Sequence, residues 1–478
     1  MEGGGLEADA VVIGGGPCGL SASLTISSGG ASVILFEKQS KFCELADNVE
    51  GMFAVRSDLQ IRDKIFYEVE DRFKAHMASA GWMPDARLVR VWMEKTAETI
   101  DWLKSLGVQF SRVSVHTPGY PFVWHMFKEA SSRPFRPLAE RVLADKNIRT
   151  FFETPVKKIL RENNKIVGVV AEDKEGNVIR VKCRAVVIAT GGYGDNREWV
   201  EKYCRGGIYM ESLIKAGQTG DGIKAAWEVG AASAGLGVIQ AYPFPPGEKG
   251  ATLLTMIALQ PNLWVNSRGE RFCDESIVWT FPEVINALVR QPQVTAYNLF
   301  DQNMVEDLKK HGLQFWIGEL VDPYNVRTEV DAELKRGLKE GKIYEAESIE
   351  ELAIKIGINP EKLKKTIEEY NDCCNKNYDF LFFKDRRYLH PIKKPKFYAC
   401  KLVIRILITE GGIRVNHKME VLDEQLNPIP GLYAGGCCTE GPVGASYPLV
   451  STGGSSSFAV NSGRIAGENV LKYLGKKP

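Results

Sequence analysis

Residues 14 to 19 read GGGPCG, and Glu37 follows about 20 residues after the first of these glycines. Gly14 permits a tight turn, Gly16 lets the backbone approach a pyrophosphate, and Gly19 lets a helix pack closely on a strand. Pro17 and Cys18 open that helix, whose N-terminus offers unpaired N–H groups and a positive dipole end to phosphate. Glu37, with Lys38 beside it, stands where an acid accepts hydrogen bonds from a ribose hydroxyl pair. The chemistry expected here is the binding of a dinucleotide without a 2′-phosphate, which disfavours NADP. Two further stretches suit the same long ligand. Ala189, Thr190, Gly191 and Gly192 end an apolar run, and Thr219, Gly220, Asp221 and Gly222 open a helix-compatible run.

These residues need elements to hold them. DAVVI at 9 to 13 and SVILFEK at 32 to 38 read as buried parallel strands with a helix between them. Residues 59 to 106 read as two or three amphipathic helices. Residues 116 to 126 read as an aromatic-rich loop of the kind that lines sites. VKKIL (opened by Val156), KIVGVVAED and NVIRVKC read as an antiparallel meander leading into RAVVIATGG. Residues 240 to 395 change character, with many prolines, charged helices at 302 to 311 and 328 to 372, and few buried-strand runs. The expected organisation is α/β: a Rossmann-like dinucleotide domain from residues 1–240 and 396–478, with a central parallel sheet and a meander. Residues 241–395 form an inserted α+β capping domain.

The bulk numbers narrow the classes. At 478 residues the chain is too long for one core. Its 61 basic and 60 acidic residues leave no field for nucleic acid. The uncharged stretch 10 to 36 is broken by glycines and a proline, so it reads as strand, turn, helix and strand, not as a membrane span. There is no secretory pattern, which sets a cytoplasmic expectation. Ten scattered cysteines without a CxxC predict free thiols and no metal site.

Taken together with VNSRGERFCDE (265 to 275), TEGGI (409 to 413), IPGLYAGG and SGRIAG, these motifs resemble the fumarate reductase/succinate dehydrogenase flavoproteins over most of the chain. The resemblance implies FAD as the cofactor and an active site between the two domains. It also implies a C-terminal segment that holds the flavin, adding Gly411, Gly412, Gly435, Gly436, Gly453 and Ser455 to the cofactor set. Many relatives carry a glutamate where Cys437 stands. With no histidine before His76, the FAD is expected to be non-covalent. The implied chemistry is hydride transfer at flavin N5 to or from a carbon–carbon unit activated by a carbonyl or carboxylate.

Members that act on dicarboxylates need an arginine and histidine clamp. In the motif register those positions fall at Met256, Leu259, Trp279, near Ile408 and near Tyr447, and residues 252 to 265 carry no charge. A dianionic substrate is therefore not expected. PVGASYPLVSTGG resembles 3-ketosteroid dehydrogenases and related enone reductases, where a tyrosine before proline donates to the ketone oxygen. Tyr447 takes that role by resemblance. Tyr120 or Tyr242 is expected to handle the proton, with His125 as the runner-up. Trp264 and Trp279 suggest an apolar, flat-walled pocket. The resulting expectation is an FAD-dependent oxidoreductase that reduces or forms a C=C bond beside a carbonyl. Its substrate would be a neutral, hydrophobic carbonyl compound, its electrons would come from a separate donor or acceptor, and homo-oligomers stay open. Two rivals remain. One is a fumarate-type reductase, for which Arg133, Arg136, Arg271 and Arg405 could form the clamp. The other is an electron-transfer subunit with no organic substrate.

Overall fold

An apolar run with no charge satisfies its backbone best in the middle of a sheet, and Ala10–Ile13 lies there with all four residues buried. In this computed structural model, which describes residues 6–128, 133–318 and 320–478, it is flanked in parallel by Ala185–Ile188 and Val33–Phe36. The six-stranded sheet continues to Ile148–Phe151 on one side, and to Pro428–Ala434 and Glu420–Leu422 on the other, the last pairing being antiparallel. Helices Pro17–Ser28 and Gly454–Tyr473 pack against each other beside this sheet. The meander is present as Val156–Glu162, Lys165–Glu172 and Val178–Lys182, with Leu6–Glu7 added at its edge.

Two stretches differ from expectation. Within 116 to 126, Trp124–Phe127 is the central strand of a small sheet, between Gly51–Phe53 and Phe110–Ser114. The inserted segment also contains more sheet than its composition suggests. Glu211–Ser212, Val238–Phe244, Thr295–Asp301 and Ile343–Ala346 all pair with Phe397–Glu410, and Leu263–Asn266 pairs with Thr295–Asp301. Thr295–Asp301 is buried throughout although it carries Asn298 and Asp301. The Asn298 amide satisfies itself by donating to the carbonyls of Ala258 and Gln260 at 2.8 and 2.9 Å. The charged region 328 to 372 resolves into helices Val326–Lys339, Ile349–Lys355 and Pro360–Lys376. Because Phe397–Glu410 belongs to the inserted sheet, we place the return to the first lobe near Gly411 instead of 396.

The RGERF stretch has a structural task. Arg271 makes two hydrogen bonds to Glu275, at 2.7 and 2.8 Å, and two to Asp379, both at 2.8 Å. Lys384 closes the network at 3.1 Å from Glu275, and these four side chains are 0–4% exposed. Burial alone would raise the Asp379 carboxyl, but Arg271, with the Leu381 and Lys384 N–H groups that donate to it, more than offsets this and holds it at about 2. Removing one partner of such a network leaves an uncompensated buried charge. Arg271→Met is expected to destabilise the fold by about 3–5 kcal/mol, read as a lowered denaturant midpoint. In the wild type the contribution of this pair is complete above the unfolded carboxylate range, about pH 4. It fades as pH falls toward about 2.

Candidate active site

One large cavity, of about 720 Å³, runs from the glycine turn to the C-terminal segment. At its first end Gly14 has φ +103°, and a Cβ there would sit 2.5 Å from the Ala189 carbonyl oxygen. Gly16 faces open space instead, with no atom within 4 Å of where its Cβ would be. Glu37 accepts from the Gly15 N–H at 2.6 Å and from the Gln39 N–H at 2.7 Å. Its burial raises the carboxyl above the ordinary range. Lys38 reaches across to Thr219 Oγ1 at 2.7 Å and Asp221 Oδ2 at 2.6 Å, which joins two motifs far apart in sequence. Gln218 Oε1 is buried on this wall and has no partner among the described residues. An open cradle at Gly16, an acid at the second strand and an orphaned acceptor fit a bound dinucleotide.

Most of the expected cofactor residues line this cavity: Gly14, Gly16, Pro17, Cys18, Glu37, Lys38, Val156, Ala189, Thr190, Gly191, Asp221, Gly222, Gly435, Gly436, Gly453 and Ser455. Six stand behind it. Gly19 packs against Gly14, Gly192 against Thr409, Gly220 against Trp199, Gly411 against Gly235 and Gly412 against Ile223, while Thr219 holds Lys38. Cys437 also lines the cavity, and burial pushes its thiol up.

The other end is aromatic. Trp124, Tyr242, Phe244 and Phe281 line it, with Tyr242 stacked on Phe244 at 5.0 Å and edge-on to Phe281 at 5.1 Å. Burial raises the Tyr242 phenol, and its oxygen accepts from the Gln240 amide at 3.3 Å. Tyr447 is buried at the same cavity, its oxygen 3.4 Å from the Ser455 N–H that donates to it. Burial pushes this phenol up to about 12, so it stays protonated and can donate to an oxygen at neutral pH.

The remaining candidates are placed differently. Tyr120 packs against Val238, Val443, Tyr447 and Leu449 and supports the Tyr447 cluster without lining the cavity. His125 faces away. Its ring is fully buried, 2.6 Å from Ser57 Oγ and 3.0 Å from the Val123 carbonyl oxygen, and burial lowers it to about 4. Its reading as an acid or base is not carried forward. Sequence reasoning missed His116, which does line the cavity, is lowered to about 4 by burial and has an Nδ1 without a partner among the described residues. Trp264 is a core residue that donates to Gln260, and Trp279 donates to Tyr388 at 3.0 Å, so neither forms the flat wall. Met256 and Leu259 are core, whereas Ile408 lines the cavity.

None of the four arginines proposed as a clamp lines it either. Arg133 pairs with Asp47, Arg136 with Glu140 and Arg271 with its buried carboxylates, while Arg405 donates to the Ser212 carbonyl at 3.2 Å and faces Glu211. The cations that do line the cavity include Arg205, Lys249 and Arg290, all three exposed.

Comparison with known proteins gives this geometry a family. The chain is 30% identical to the vinyl phenol reductase of Lactiplantibacillus plantarum, over 97% of this chain and 96% of that one. An open-conformation flavocytochrome c3 fumarate reductase superposes with a TM-score of 0.74 at 26% identity, over 98% of this chain and 79% of that chain. A 3-ketosteroid Δ4-(5α)-dehydrogenase from Rhodococcus jostii shares the fold, with a TM-score of 0.75 at 22% identity over 97% of both chains. FAD is thus the dinucleotide for the cradle. Gly16→Val, which fills only open space in the protein, is expected to abolish bound flavin while far-ultraviolet dichroism stays that of the folded chain. Flavin retained at full occupancy would contradict the placement. The FAD binding domain model matches residues 9–453, and the chain belongs to that family: it is an FAD-dependent oxidoreductase of the fumarate reductase-like flavoproteins, acting on carbon–carbon double bonds.

Proposed function

We propose that the protein reduces, or in reverse forms, a C=C bond in a neutral, hydrophobic substrate whose π system ends on an oxygen, either an enone carbonyl or a phenolic oxygen. The observation that carries this reading is the pairing of Tyr447 with an aromatic wall in a cavity that none of the four candidate clamp arginines lines. The name of the 30%-identical relative, a vinyl phenol reductase, points to the same substrate chemistry.

Bound FAD would supply or accept the hydride, held by the cradle from Gly14 to Gly222 and by Gly435, Gly436 and Gly453. Tyr447 donates a hydrogen bond to the substrate oxygen on which negative charge develops. The Ser455 N–H donates to the Tyr447 oxygen and fixes its direction. Tyr242, in the same wall, handles the proton on the second carbon. Burial keeps its phenol protonated at neutral pH, the form a proton donor needs. Trp124, Phe244 and Phe281 exclude water and orient a flat substrate. We place the electron donor on a separate molecule. No described helix is long and apolar enough to cross a membrane, and the cytoplasm is our proposed location.

A second reading, an unsaturated carboxylate as substrate, is favoured by Arg205, Lys249 and Arg290 at the cavity. Steady-state turnover separates the two. Enones or vinyl phenols should be reduced, and Tyr447→Phe should lower their kcat/KM by about 100- to 1,000-fold with flavin content unchanged. Efficient turnover of fumarate that tolerates Tyr447→Phe but fails in Arg290→Ala would establish the second reading instead.

A further inference from the structure

Behind Tyr447 lies an acid that the proposed chemistry has not used. Glu410 ends the strand Phe397–Glu410 and is 1% exposed. Its Oε1 accepts from the Ser455 hydroxyl at 2.7 Å. The Ser455 N–H donates to the Tyr447 oxygen at 3.4 Å, and the Ser455 hydroxyl lies beside the same phenol and lowers it, with Gln240 Oε1 as a second acceptor for that hydroxyl at 3.5 Å. The Cys437 thiol is the other group that acts on Glu410, and no cation among the described residues pairs with it.

A second, small cavity backs this group, lined by His76, Trp92, Glu410, Tyr447, Ser451 and Ser455. Its volume, about 10 Å³, is near the limit for one water. His76 is held neutral there: burial lowers it to about 4, and its ring nitrogens are 2.9 Å from Ser451 Oγ and 2.6 Å from the Pro442 carbonyl oxygen. Every group facing Glu410 is therefore neutral at physiological pH: the Ser455 hydroxyl, the Tyr447 phenol, the Cys437 thiol and the His76 ring. Nothing charged repays the burial of a carboxylate, and the acid form is favoured.

Resting on the reading of Tyr447 given above, we propose that Glu410 supplies the proton that meets the charge developing on the substrate oxygen, feeding Tyr447 through the hydroxyl of Ser455, while Tyr242 serves the second carbon. In the ionised state Ser455 donates to Glu410, the arrangement seen here. In the acid state the direction reverses. The Glu410 O–H donates to Ser455 Oγ, the Ser455 O–H to the Tyr447 oxygen, and the Tyr447 O–H to the substrate oxygen. When charge develops on that oxygen, three O–H bonds break and three form. One proton leaves Glu410, one arrives at the substrate, Ser455 and Tyr447 end as they began, and Glu410 is left a carboxylate. It recovers that proton along the same chain when Tyr242 protonates the second carbon and the enol oxygen gives its hydrogen back, so the product has gained one hydride and one proton. Burial places the titration at about 7, so the reductive direction is fastest below that pH and slows as pH rises through it.

The test uses the flavin-loaded protein and two readouts. Infrared difference spectra taken across about pH 5 to 9 should show a protonated-carboxyl band that disappears with rising pH, is missing in Glu410→Gln and is displaced in both Ser455→Ala and Tyr447→Phe. The same band in Glu410→Gln, or a band indifferent to both other variants, overturns the proposal. In turnover of an enone or vinyl phenol, the alkaline fall in kcat should be absent from Glu410→Gln, with kcat about 10- to 100-fold lower and KM little changed. Glu410→Asp should restore part of the rate and the pH limb. An unaltered limb in Glu410→Gln also overturns the proposal. If the carboxyl band couples to Ser455 and Tyr447 but no such alkene is reduced, the substrate reading has failed and the proton link stands. Ser455→Ala, which keeps the carboxyl and removes the hydroxyl between it and Tyr447, covers the case in which Glu410→Gln does not fold, with flavin content measured alongside.

Discussion

The strand Phe397–Glu410 is the constraint on which the site depends. It pairs with four other strands, and its register with Val238–Phe244 sets the aromatic end of the cavity: Val238 opposite Glu410, Gln240 opposite Ile408, Tyr242 opposite Arg405. An irregularity between Gln240 and Ala241 leaves Leu407 as an extra residue, and Gln240, Ala241, Tyr242, Leu407 and Ile408 all line the cavity. A bulge re-aims side chains in this way without breaking the ladder on either side. A slip of one residue would turn Tyr242 to the opposite face, since strand side chains alternate.

The two ends of the cavity follow different physics. At the cradle, charge and backbone do the work: glycines allow close approach, Glu37 is fixed by two N–H groups, and Lys38 ties the second strand to Thr219 and Asp221. At the substrate end the wall is aromatic, and its polar groups include two phenols, the Gln240 amide, the neutral His116 ring and, beside Tyr242, the Glu50 carboxyl, which burial raises. The four arginines expected to clamp a dicarboxylate are engaged elsewhere, and the arginines that do line the cavity, Arg205 and Arg290, are exposed. Arg271 holds a buried ion network, and Arg405 is committed to the Ser212 carbonyl and Glu211. A neutral substrate with one electron-accepting oxygen suits such a wall, because a phenol kept protonated by burial can donate without an ion to desolvate.

The cradle was legible in the sequence because its determinants are local. Gly14, Gly16, Gly19 and Glu37 lie within one strand–helix–strand unit, and their spacing carries the geometry. The substrate wall was not, because Trp124, Phe244 and Phe281 come from separate segments that meet only through strand register and helix packing. The aromatic loop shows the difference within a few residues. His125 and Trp124 are neighbours on one strand, so they face opposite ways. Trp124 reaches the cavity and His125 reaches Ser57. Likewise Tyr120 and His116 share a segment, and His116 is the one at the cavity. The inserted sheet escaped notice because Thr295–Asp301 hides polar residues in a buried strand, where Asn298 satisfies itself on the carbonyls of Ala258 and Gln260. Glu410 could be read as a flavin-side motif residue but not as a buried acid, since its burial depends on Gly454–Tyr473 and on the segment that carries His76.

On the proposed function, this site takes a neutral, oxygen-conjugated alkene. The most direct measurement is single-turnover reoxidation of the fully reduced flavoprotein, mixed anaerobically with a matched pair: an aryl enone and the cinnamate-type acid of the same skeleton, with fumarate as a third arm. Reoxidation should be at least about tenfold faster with the ketone than with its acid, with none of consequence by fumarate. Fast reoxidation by the acid or by fumarate, with the ketone inert, would contradict it.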